Sequence, residues 1–78
     1  MQSLIDTITS EAAKSVLTEA DREEIENSLA VIQDETREAA PRKSHVKIAI
    51  GAMQAIKGTA EFGAAVVALY QFLQPFLM

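Results

Sequence analysis

The single histidine of the chain, His45, follows Ser44 directly, and a serine beside a histidine raises the possibility of nucleophilic acyl transfer. On a helix, adjacent side chains point about 100° apart, so the two cannot form the hydrogen-bonded nucleophile and base that this chemistry requires. His45 reads instead as a surface or interface residue near an acidic helix end. A metal centre needs two to four converging ligands; with no cysteine and one histidine, only carboxylates remain. Their densest group, Glu19, Asp21, Glu23, Glu24 and Glu26, is better explained by the positive end of a helix dipole. The basic stretch PRKSHVK offers Arg42, Lys43 and Lys47 to a phosphate but has no aromatic neighbour on which a base could stack. Asp34, Glu35 and Glu38 on the preceding segment are expected to pair with it instead. Gly51, Gly58 and Gly63 do not form a phosphate loop, since their spacing is seven and five and no strand precedes them. The sequence therefore predicts no catalytic residue, no metal site and no cofactor, and it argues against an enzyme.

What must hold any site here is helical. Ser3 with Asp6 and Thr18 with Asp21 both have the Ser/Thr-x-x-acid spacing of a helix start. After Ser3, Leu4, Ile5, Ile8, Ala12 and Val16 recur on one face and predict a helix over 3–16. Thr7, Thr9, Ser10 and Ser15 are weak helix formers, so this helix must rely on packing. Ile25, Leu29, Ile32 and Thr36 mark one narrow side of a second helix over 19–39, ended by Pro41. Pro41 suits the first turn of a third helix over 42–57. Val46, Ala49, Ile50, Met53 and Ile56 share one side of it, and Ile48, Ala52 and Ala55 widen the apolar arc. Gly58 and Thr59 read as a stop and a new start. A fourth helix over 60–77 gathers Phe62, Val66, Leu69, Leu73, Phe76 and Leu77 within a third of its circumference, flanked by Tyr70 and Phe72, with Pro75 loosening its last turn.

Connections of two to three residues between these segments imply antiparallel neighbours, hence an all-α, up-and-down bundle of about four helices forming one domain over 1–78. Its expected core is Ile25, Leu29, Ile32, Val46, Ile50, Met53, Phe62, Val66, Leu69 and Leu73. Helices three and four are expected to form an inner layer and helices one and two a charged outer one.

Charge and length bound the function further. The net charge of −4 divides into −7 for residues 1–40, with ten acids and three bases, and +3 for residues 41–78, with four bases and one acid. An acidic total argues against general nucleic-acid binding, which depends on lysine and arginine at phosphates. At 78 residues without cysteine, a single core contributes little net stability, and disulfides are not available to supplement it. A partner chain is the remaining source. Missing cysteine and an opening, MQSLIDTITS, that has neither the basic start nor the apolar run of a secretion signal suggest a cytoplasmic protein.

The C-terminal stretch sharpens the inference: after Glu61 no charged side chain occurs in 17 residues. A membrane span needs about 20 apolar residues, and this one contains Gln71, Gln74 and Pro75, has a small-residue side, and lacks flanking basic residues. Insertion into a membrane is thus the alternative rather than the first expectation. The side opposite the large residues, Ala60, Gly63, Ala64, Val67, Ala68, Gln71 and Gln74, carries no charge where a water-facing helix would carry lysine and glutamate. These seven residues are the expected oligomer interface, with a second copy, or a different helical protein, as the partner.

The order of an acidic helix TEADREEIENSLAVI, a break AAPRK and a segment AIKGTAEFGAAVVALYQFL over residues 16–78 resembles small C-terminal helical segments of bacterial abortive-infection proteins of the AbiTii-like type. The resemblance implies a self-assembly module of a phage-defence protein whose enzymatic or sensing part lies elsewhere. It implies no catalytic residue.

Overall fold

The computed structural model describes residues 1–77. Among them are four helices and no strand: α1 (Gln2–Lys14), α2 (Glu19–Arg37), α3 (Lys43–Gln54) and α4 (Ala60–Leu77). Helix α1 packs on α4, α4 on α3 and α3 on α2, while α1 and α2 barely touch. The diagonal pairs do not meet, so the helices occupy the four corners of an up-and-down bundle about 36 Å long. A corner helix buries one side only. The proposed inner and outer layers therefore do not exist within a single chain: α3 and α4 each leave an outward face in solvent, just as α1 and α2 do.

The core is contiguous. Ile5, Ile8 and Ala12 of α1, Ile25, Leu29 and Ile32 of α2, Val46, Ile50 and Met53 of α3, and Phe62, Val66, Leu69 and Leu73 of α4 belong to one buried cluster. All ten residues expected in the core are buried, joined by Ala49, Ala65 and Leu77. A fully buried aliphatic or aromatic side chain of this kind is worth about 1.5–3 kcal/mol of transfer free energy. That gain explains why α1, poor in helix formers, is nevertheless helical.

Several element boundaries differ from expectation, each for a local reason. Helix α1 starts at Gln2 with Met1 in the cap position, not at Ser3. The earlier start puts Met1 in the cap position, packed against the core, and Ser3 serves within the first turn, its carbonyl accepting from Thr7 Oγ1 at 2.8 Å. Val16, expected on the buried face, lies beyond the end of α1 in the 15–18 connection and is 102% exposed. Ser15 turns extended at the helix end, so the helical phase is lost before Val16. Helix α2 stops at Arg37, where Glu38 becomes extended. Pro41 sits ahead of α3 rather than in its first turn, because Arg42 is held extended as the residue before the helix. At the far end α3 closes at Gln54, three residues short of the predicted 57. The connections 15–18, 38–42 and 55–59 are accordingly longer than the two or three residues predicted. Pro75 does not end α4, which runs on to Leu77. Thr36, expected in the apolar line of α2, is half-buried and donates its hydroxyl back to Ile32 O.

Candidate self-association surface

Two devices fix how α4 is turned. Thr59 Oγ1 accepts from Phe62 N at 3.1 Å, which caps the first turn. In the same connection Thr59 N donates to Ser15 Oγ at 3.3 Å, and Ser15, itself buried, donates to Glu11 O at 3.0 Å. The 55–59 connection is thereby tied to the end of α1. The Phe62 ring also lies tightly under Gly58, where an added Cβ would come within 2.8 Å of Phe62 Cδ2. With the ring seated, the remaining positions of α4 follow at 100° each. Phe62, Ala65, Val66, Leu69, Leu73 and Leu77 point inward.

The opposite side is the one that the sequence singled out. Ala60, Gly63, Ala64, Val67, Gln71 and Gln74 are exposed and Ala68 is half-buried, so all seven lie at the surface along one side of α4. At its margins stand Tyr70, which lines a groove with Lys47, Ile50 and Gln54 of α3, and Phe72, 55% exposed beside the N-terminal end of α1. The adjoining outward face of α3 is similar: Ile48 is 70% exposed, Gly51 and Ala55 are exposed, and Lys47 supplies the charge there. An alanine Cβ at Gly51 or Gly63 would meet nothing within 4 Å. Neither glycine adopts a positive φ. Intramolecular packing therefore gives no reason for either helix to carry the roughly 1 kcal/mol cost of an interior glycine.

Ile48 also overhangs a shallow cleft of about 240 Å³ between α2 and α3, with Val31, Ala49 and Ala52 on its apolar walls and Glu24 and His45 at its rim. The widened apolar arc of α3 includes Ile48, but the cleft depends on which side of α3 meets α2, which helical periodicity does not give.

The basic stretch and the acids before it meet through one pair. Glu35 is only 4% exposed, and its carboxylate accepts from Arg42 N at 2.9 Å, from Arg42 Nη2 at 3.0 Å and from Arg42 Nε at 3.1 Å. The guanidinium and backbone N–H of Arg42 hold the Glu35 carboxyl below its ordinary pKa. Asp34 and Glu38 are exposed. This clasp fixes the turn into α3 and occupies the Arg42 guanidinium. Ser44 and His45 are both exposed. Among the described residues no group of three histidine, cysteine or acidic side chains is arranged to hold a metal ion.

Compared with models of known protein families, with curated proteins and with solved structures, the chain matches none. The similarity to abortive-infection proteins thus rests on the residue pattern alone.

Proposed function

We propose that this chain is a non-enzymatic self-association module that holds copies together through the uncharged side of α4. The observation that carries the reading is that Ala60, Gly63, Ala64, Val67, Ala68, Gln71 and Gln74 form a surface without a single charge, on a helix whose Phe62, Val66, Leu69 and Leu73 are already used inside. It is the character of the surface, not its extent, that supports association. The accessible area of 4876 Å² is close to the about 4,700 Å² that a monomer of this mass exposes. The small side chains allow close helix approach, and the two glutamines supply hydrogen bonds at the margin. Combined with the resemblance of residues 16–78, the reading makes this a detachable cytoplasmic assembly element of a larger bacterial defence protein.

A second reading has one observation in its favour: α4 is long and apolar enough, by length and composition, to cross a membrane. It ranks below the first because insertion would pull Phe62, Val66, Leu69 and Leu73 out of a core in which they are buried, exposing their partners on α1, α2 and α3 to water.

Light scattering on the wild type, on Ala64→Glu and on the Ala64→Glu, Ala68→Glu double variant tests the proposal. The wild type is expected at a multiple of 8.5 kDa and the variants at the single-chain mass, with helical circular dichroism retained. A wild type that stays a single chain at high concentration, or variants of unchanged mass, refutes it. Co-flotation of the wild type with liposomes would turn the assignment to the membrane reading.

A further inference from the structure

We propose that the cleft between α2 and α3 is a docking groove for a helix of a different protein, one that presents a tryptophan flanked by basic residues. The proposal goes beyond self-association, since it uses another face of the bundle and another partner.

An apolar seat lies between the two helices. Val31, Ala49 and Ala52 wall a cleft of about 240 Å³, and Ile48, 70% exposed, overhangs it. Pockets that enclose a whole small ligand start at roughly 300 Å³, so this open cleft suits one large side chain presented from outside. Helices α2 and α3 satisfy their own backbone groups and offer no strand edge on which an extended peptide could pair. A partner helix, its backbone already bonded, needs only side-chain contacts.

A polar atom in the apolar wall selects the anchor. Ser28 is 4% exposed, lines the cleft, and makes no hydrogen bond among the described residues. None of their polar side-chain atoms is both sealed from solvent and without a partner, so the Ser28 hydroxyl opens to the surface, and the surface it reaches is this cleft. A leucine or phenylalanine seated over it would strip it of water and return no hydrogen bond. The indole of tryptophan fills the seat with ring carbon and offers one N–H, which Ser28 Oγ can accept.

Charge selects what flanks the anchor. Glu24 stands at the rim, and Glu23 and Asp34 lie four residues before and seven after Asn27, on the side of α2 that borders the cleft. All three are exposed, and none takes part in an ion pair among the described residues. The cations of the two helices lie elsewhere. Arg22 borders α1, Arg37 the end beside Phe72, and Lys47 the groove between α3 and α4, with Lys43 one turn before it on the same side. Lysine or arginine beside the tryptophan therefore meets carboxylates and no opposing lysine or arginine. The occupant is not a second copy: this chain has no tryptophan, and its single tyrosine, Tyr70, has no lysine or arginine within four residues.

The probe is a synthetic alanine-based helix of about 18 residues, with one tryptophan at its centre and lysines within about one turn of it on either side. Because the protein has no tryptophan, indole emission reports the probe alone. The expected result is a blue shift that saturates as wild-type protein is added, with backbone amide NMR shifts confined to residues 24–31 and 45–52. Glu24→Lys should weaken binding by about tenfold or more, and Ser28→Ala by roughly three- to tenfold, each with unchanged helical circular dichroism. Should Ser28→Ala disturb the fold, Ile48→Ala takes its place at an exposed position and should also weaken binding. Equal affinity for a probe with leucine in place of its tryptophan would overturn the inference, as would amide shifts centred outside the cleft or no saturable change. The mass of the particle reads the α4 surface separately, so the two proposals can fail independently.

Discussion

Replacing Gly51 with alanine adds a methyl group where no atom lies within 4 Å, at a helical position with ordinary φ. Nothing in the folded chain opposes the change, so the gain in helix propensity should appear nearly in full, about 1 kcal/mol. For a domain of this size that corresponds to a rise in Tm of roughly 4–8 °C. Gly63→Ala meets the same conditions and should behave alike. Gly58→Ala should do the reverse. Its Cβ would sit 2.8 Å from Cδ2 and 3.1 Å from Cγ of Phe62, which is 1% exposed. Overpacking of this kind costs about 1–3 kcal/mol. Thermal unfolding followed by circular dichroism, at a protein concentration low enough to leave single chains, reads all three variants on one scale. In concentrated solution Gly63→Ala should also weaken association by sedimentation analysis, because a methyl group on the uncharged side of α4 holds a neighbouring helix off. A Gly51→Ala protein less stable than the wild type at high dilution would refute the reasoning, since it would mean that the glycine serves a purpose inside its own chain.

Two further changes probe the joints of the bundle. Because the Glu35 carboxyl has a lowered pKa, its contribution to stability is complete above the ordinary value of 4.5 and is lost as pH falls through the folded-state value; urea titrations below pH 4.5 should show a wild-type decline that Glu35→Gln largely lacks, and parallel declines would contradict the role of the clasp. Ser15→Ala leaves Glu11 O without the hydroxyl and Thr59 N without its acceptor. It should cost about 1–2 kcal/mol, read as a lower urea midpoint with an unchanged slope; no shift would mean that water replaces both bonds.

Helix α4 was legible almost to the residue because its large side chains repeat strictly at helical spacing, and that repetition also marks the side left for solvent. The start of α2 was equally readable, since Thr18 Oγ1 does accept from Asp21 N at 3.1 Å. Ser3 with Asp6 has the same spacing and no such role, because Met1, packed against the core, takes the cap position and leaves Ser3 inside the first turn. Pro41 misled for a related reason: a tertiary partner, Glu35, seizes the N–H of the next residue and delays the helix. The burial of Glu35 itself had no signal in the sequence, where it stands as one of three acids in residues 34–38. The α2–α3 cleft under Ile48 was hidden too, since periodicity gives the faces of each helix but not which neighbour each face meets.

The seat of α1 on α4 has a consequence for synthesis. Helices emerging from a ribosome dock on what is already present, and when α1 appears its neighbour in sequence, α2, offers it almost no contact. Helix α1 must wait for α4, and only the arrival of Phe62, Val66 and Leu69 gives Ile5 and Ile8 an apolar wall to lean on. Until then α2 and α3 can form a hairpin while α1 stays solvated, so this bundle closes in a late step that joins α1 to α4.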